Sequence, residues 1–340
     1  MLTAYSRLTS MLGLLGQQRE SNELLRTLID ALAKAGSPTV QSRLMLDLHE
    51  RRRLLYSADP PGAEAAWASY TPPPPTVAEP VADVLHVLDR THAVLPLLDY
   101  GWTLLVQGQL GEATHCLEAV VDLAQQTGQP SIASTAYHQL AVTARILGHW
   151  EQSHVLNEQS IAIQREMLGA SGELGSLWPR IGSAFLALKQ GRLDEAERRL
   201  QQALALLDQR PAFRNHRNSA QIGLGLVALG RGDLSAAQEL LAGALTDAVN
   251  LYPYTHVQAL LGLAQLAAQR GEDVEASALL RRALRFAGRR SLLEEYMDAL
   301  LLVAALRPAG APVDALLHAM HAYVQGLGLA AAASRLGERM

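Results

Sequence analysis

Small and apolar residues recur along this chain with helical spacing, and the spacing itself repeats. In Gly191–Leu206 a glycine is followed by a segment whose Ala196, Leu200, Ala203 and Leu204 fall on one face of a helix. Taking Ala196 as an anchor, equivalent small residues are Ser21, Ala63, Ala113, Ser153, Ala237, Ala276 and Ala315. Along the chain the eight anchors lie 42, 50, 40, 43, 41, 39 and 39 residues apart. Five residues before the anchor stands a glycine in seven of the eight cases: Gly16, Gly108, Gly148, Gly191, Gly232, Gly271 and Gly310, with Ala58 the exception.

A second apolar pattern lies upstream of each glycine. Twelve residues before the anchor the residue is small in five units, at Gly101, Ala141, Ala184, Gly225 and Ala264. A small residue there lets two helices approach closely. The glycine ends the first helix because it tolerates the left-handed conformation of a tight exit. Each unit is therefore predicted to be a helix–turn–helix hairpin of roughly forty residues, a period that marks a solenoid.

The expected fold is all-α, a right-handed superhelical solenoid of about eight hairpins forming one array over residues 1–340. N-terminal hairpins occupy 1–70 and regular repeats 80–328, with a C-terminal cap at 329–340. Between them, 71–80 is a proline-rich insertion, where Pro72–Pro75 break any helix and account for the 50-residue spacing. Pro96 is expected to divide or kink the helical run that ends at Val106, and the stretch from Arg210 to Asn218 reads as a basic connector.

Leu224-Gly225, Gly232-Asp233-Leu234 and Ala237 through Ala244-Leu245 resemble the tetratricopeptide repeat pattern, and the likeness extends over nearly the whole chain. The period departs from that family: about forty residues instead of about thirty-four. Longer units of this kind resemble those in the sensor regions of bacterial signal-responsive regulators of the maltose-activator type, and in peptide-sensing regulators. The resemblance implies a module that binds a peptide, a protein or a small ligand on its concave side. It also implies that the chain is a fragment of a larger regulator whose ATPase or DNA-binding part lies elsewhere.

Composition narrows the function further. The net charge is −4 and only Lys34 and Lys189 are lysines, so the basic excess of a phosphate-binding surface is missing and no direct nucleic-acid contact is expected. The single cysteine, Cys116, precludes an intrachain disulfide and reads as a buried small hydrophobe. The N-terminus lacks the pattern of a signal peptide, and no uninterrupted apolar run is long enough to span a bilayer, so the reading is a cytoplasmic chain without membrane contact. No phosphate loop, nucleophile elbow or multi-cysteine zinc site is present; His149, Glu151 and His154, like His318 and His321, read as helix-surface residues. No cofactor, metal or catalytic residue is assigned, and the chain is read as a non-enzyme.

Inner-face positions follow from the repeat offsets. They place Trp102, His138, Arg145, Trp178 and Phe185 together on the first helices of the central hairpins. Tryptophan and arginine are the residue types that most often dominate binding energy. These five are the candidate ligand-binding residues of a concave groove; the other reading is that they fill the solenoid's own core. Two rival functions stand beside the sensor: a free-standing scaffold or assembly adaptor, and an α/α-toroid enzyme, which requires clustered acids on the inner helices.

Overall fold

The computed structural model describes residues 90–337, apart from 107, 209–212, 247–252, 290–291, 308–312 and 327–328, together with Leu24 and Thr27. The expected hairpins within 1–70, the proline-rich insertion at 71–80 and the bends at Gly16, Ala58 and Gly310 lie outside the described residues. In chain order the helices are α1 (Arg90–Val106), α2 (Leu110–Gln126), α3 (Pro130–Leu147), α4 (Trp150–Gly175), α5 (Leu177–Lys189), α6 (Leu193–Leu207) and α7 (Arg214–Gly230). They continue as α8 (Leu234–Thr246), α9 (Pro253–Gln269), α10 (Asp273–Arg289), α11 (Leu293–Leu306), α12 (Val313–Gly326) and α13 (Ala330–Gly337). No strand occurs among the described residues. Each odd helix from α1 to α11 pairs with the even helix that follows it, and α13 covers α12 at the end.

Five bends between hairpin partners are built identically. Gly108, Gly148, Gly191, Gly232 and Gly271 have φ of 82°, 84°, 71°, 81° and 76°. In each the glycine N–H donates to the carbonyl three residues back, and the next N–H donates five back, as in Gly191 to Leu188 and Arg192 to Ala187. These bonds satisfy carbonyls that the ending helix leaves open. The anchor N–H then closes the first turn of the second helix, as Ala196 does on Arg192. Ala113, Ser153, Ala196, Ala237 and Ala276 are all buried, so the periodic small residue is a contact point of the packing.

The small residues twelve before the anchor are buried as well. A Cβ on Gly101 would lie 2.6 Å from Leu117 Cδ2, and one on Gly225 would lie 2.8 Å from Leu241 Cγ. Here glycine is required by the closeness of the paired helix, since overpacking such a contact costs about 1–3 kcal/mol.

Three expectations are revised. Of the two outcomes expected at Pro96, division does not occur: α1 is one helix from Arg90 to Val106. The basic connector is shorter than its charged run, because α7 already begins at Arg214 and buries Asn215, His216, Asn218 and Ser219. The last hairpin departs from the pattern: among its described residues the left-handed one is Arg307, with φ 43° and ψ 57°, and Ala315 is exposed while Leu316 and Leu317 are buried.

The helices α1, α3, α5, α7, α9 and α11 touch in succession and form the inner layer. The array winds far enough for its last helices to meet the first described ones. Leu293, at the start of α11, abuts Gly108 in the first described bend, and α13 reaches α3. One apolar core accordingly joins residues of α1–α3 to residues of α9–α13, and a second fills α5–α7. Among the described residues no helix is long and apolar enough to cross a membrane.

Candidate functional site

Winding the inner layer round on itself leaves a central cavity to which all six inner helices contribute. Its free space is about 770 Å³, part of it open to solvent. Helix α1 supplies Trp102, Leu105 and Val106; α3 supplies His138, Val142, Arg145 and Ile146; α5 supplies Trp178, Ile181, Gly182, Phe185 and Lys189. Across from them stand Ser219 of α7, Tyr254, Thr255 and Gln258 of α9, and Glu294 and Glu295 of α11. All five residues singled out from the repeat offsets, Trp102, His138, Arg145, Trp178 and Phe185, line this one cavity. Other inner offsets lead elsewhere: Leu98, Ile222 and Leu229 are core residues and do not face it.

One part of the wall is aromatic. Tyr254 meets Trp102 edge-on at 6.1 Å between centroids, and Trp178 also at 6.1 Å. Trp178 stacks in turn on the buried His216 at 4.3 Å, and Phe213 meets the edge of that imidazole at 5.6 Å. Rings held on both sides in this way have little rotamer freedom left to lose on binding.

Beside Trp178, His138 Nδ1 lies 2.9 Å from Asn157 Oδ1. With that oxygen as acceptor, Nδ1 carries the proton and Nε2 is the ring's acceptor. Burial, opposed in part by the Asn157 bond and reinforced by Arg145, pushes His138 down to about 4, so the imidazole is neutral near pH 7. Gly182 makes room for the ring: a Cβ there would lie 2.8 Å from His138 Cε1.

Another part of the wall is charged. Arg145 Nη2 donates to Glu294 Oε2 at 2.8 Å, and Lys189 Nζ lies 3.0 Å from Glu294 Oε1. Lys189 also donates to both Asp298 oxygens, at 3.0 and 2.8 Å, and Gln258 Nε2 donates to Asp298 at 3.2 Å. These bonds tie α3, α5 and α9 to α11. Burial alone would raise the Glu294 carboxyl, but Arg145 and Lys189 outweigh it and hold it well below the usual carboxylate range. Burial likewise disfavours charge on Lys189 and Arg145, and the facing carboxylates reverse that, so both remain cations. Glu295 differs: burial, then Glu294 and Asp298, push its carboxyl up to about 8.

Sequence reasoning missed Lys189, Tyr254, Glu294, Glu295 and Asp298. Glu294 was missed through register, while Glu295 and Asp298 lie twelve and nine before Arg307, off the offsets used. Counting back thirteen from each left-handed residue gives Leu95, Thr135, Trp178, Ser219 and Gln258 for the glycine bends, and Glu294 for Arg307. With Gly310 taken as the last bend, the register slips by three residues and Glu294 leaves the inner face. Lys189 shares its place, seven before the anchor, with Val106 and Ile146. Cys116 is buried, donates to the Leu97 carbonyl and is pushed up to about 12 by desolvation, as an unreactive core thiol. Among the described residues no group of three or more His, Cys, Asp or Glu side chains is arranged to hold a metal ion.

Residues 134–172 match the tetratricopeptide repeat family. No curated protein matches the sequence. Among solved structures the chain is similar to the Rap conjugation gene regulator of the plasmid pLS20 in complex with the Phr* peptide. The TM-score is 0.58 at 13% identity, over 99% of this chain and 94% of that one. It is also similar to a Rap protein complexed with competence and sporulation factor, with a TM-score of 0.57 at 13% identity, over 99% of this chain and 96% of that one. At such identity the likeness is one of fold, and it accords with the repeated glycine bends and the inner layer of first helices. Residues 134–172 thus match a tetratricopeptide repeat, and the chain as a whole shares the helical-repeat fold of the two Rap structures.

Proposed function

We propose that this chain is a non-catalytic peptide-binding module, the sensing region of a bacterial regulator, and that its peptide sits in the central cavity. The observation that carries this reading is the cavity itself, to which every described inner helix contributes and which pairs a preformed aromatic wall with a few fixed polar groups. Sites of that make-up are the usual hosts of ligands. The two Rap structures support it, since one was solved with the Phr* peptide and the other with competence and sporulation factor. The acids that an α/α-toroid enzyme would need are there as Glu294, Glu295 and Asp298. However, Arg145, Lys189 and Gln258 occupy Glu294 and Asp298, which leaves no free pair to act as acid and base.

The test is fluorescence anisotropy with labelled hexapeptide pools against the wild type and the Trp102→Ala/Trp178→Ala pair. Pool members are expected to bind the wild type and to lose about tenfold or more in affinity to the pair. Equal binding by both proteins contradicts the cavity as the site.

A further inference from the structure

The charges around the cavity do not balance. Two cations, Arg145 and Lys189, face three carboxyl groups, Glu294, Asp298 and Glu295. Glu294 takes both cations and Asp298 shares Lys189. Glu295 takes neither. Its residue is 9% exposed, it lines the cavity, and its carboxyl bonds only to its own backbone N–H. Around it stand Glu294 and Asp298 of its own helix, Arg145 and His138 of α3, and Lys189 of α5, while α9 contributes only the uncharged Tyr254, Thr255 and Gln258. Arg145 attracts this carboxyl, but burial and the neighbouring Glu294 and Asp298 outweigh it, so that the protonated form is favoured. The same cavity presents Trp102, Tyr254 and Trp178, rings whose faces attract cations.

We infer that the cavity recognises an ammonium or guanidinium group on its ligand, with Glu295 as the counter-charge and the Trp102–Tyr254–Trp178 wall beside it. This rests on the cavity being the ligand site and goes further, in stating the chemistry of the ligand. An anionic ligand would have to displace Glu294 from Arg145 and Lys189 and would add a negative charge to a surplus of carboxyl groups. A cationic ligand replaces the proton instead: the Glu295 carboxyl loses H⁺ to the buffer, and the carboxylate left behind pairs with the ligand cation. Binding of the cation therefore releases protons near pH 7, and its affinity rises with pH as Glu295 ionises more readily.

The full chain is titrated with three sets of synthetic hexapeptides. The first has free N-termini and no Arg, Lys or His. The second is N-acetylated and carries one arginine at each position in turn. The third matches the second with citrulline for arginine. Tighter binding of the first or of the second set over the third, by about tenfold or more, is expected, and it identifies the cation as a terminal amine or a side chain. Glu295→Gln, which imitates the protonated acid, is expected to stay folded with a thermal midpoint at pH 7 no lower than the wild type's, and to abolish that preference. Calorimetry of the wild type in two buffers of different ionisation enthalpy is expected to show proton release, a readout that needs no variant. Citrulline peptides binding as tightly as arginine peptides and amines, or a preference unchanged in Glu295→Gln, overturns the inference and leaves peptide binding standing. Failure of all three sets to bind overturns both.

Discussion

The middle hairpins and the closing hairpin of this array are made differently. In α5/α6 and α7/α8 the bends are Gly191 and Gly232, the anchors are buried alanines, and α7 gives the cavity only Ser219. In α11/α12 the left-handed residue is Arg307, the expected anchor Ala315 is exposed, and the inner helix brings Glu294 and Glu295 into the cavity. Regular repeats build the wall by fitting small residues between helices. The irregular hairpin arrives last, after the winding is nearly complete, and places charge against α3 and α5. The regular hairpins bring the aromatic rings, His138, Arg145 and Lys189 to the cavity, and the irregular one adds the acids.

Glu294→Ala is the most damaging way to break that contrast. It leaves Arg145 and Lys189 largely buried with fewer partners and is expected to cost about 3–5 kcal/mol, read from urea unfolding. Arg231→Ala, which removes the exposed pairs to Asp194 and Glu197 on the outer side of the array, is expected to leave the unfolding midpoint unchanged.

Glu295 gives the next effect, through pH. Its folded carboxyl holds a proton more tightly than the unfolded one, pushed from an ordinary 4.5 up to about 8 chiefly by burial. The stabilising proton is fully in place below about 4.5 and is lost as pH climbs through 8. Wild-type stability should therefore fall across that window, and Glu295→Gln should remove most of the fall, seen as thermal midpoints that converge at low pH and separate at high pH. Glu294 acts with the opposite sign: its depressed carboxyl contributes stability above the ordinary 4.5 that is lost as pH falls below it.

The bends supply a smaller pair of opposed effects. Gly191 has a φ of 71° and open space where a Cβ would stand, so Gly191→Ala tests backbone conformation alone. It is expected to cost about 1–2 kcal/mol, the usual penalty of a side chain in the left-handed region. Arg307→Gly relieves the same penalty and is expected to stabilise by at most ~1 kcal/mol, partly offset by the added freedom of the unfolded chain. Chemical denaturation that moves both variants in the same direction would contradict the equivalence of these bends.

The same comparison explains what could be read from the chain. Gly108, Gly148, Gly191, Gly232 and Gly271 announce themselves because a left-handed turn selects glycine, and the buried anchors follow at a constant distance. Those two markers set the helix register, and the register was enough to gather Trp102, His138, Arg145, Trp178 and Phe185. Arg307 is left-handed too, without the residue type that signals it, so Glu294 stayed out of register. Tyr254 and Lys189 had no marker either: one stands just over a turn before the offsets used, the other directly after them. That Lys189 meets Asp298 depends on the array winding back on itself, which is a long-range outcome that no local pattern encodes.

Hydrogen exchange followed by mass spectrometry, with and without a hexapeptide that binds, tests the central cavity as the ligand site most directly. Protection is expected in the inner helices α1, α3, α5, α9 and α11 together, with α6, α8 and α10 unchanged. Protection confined to those outer helices would contradict the account.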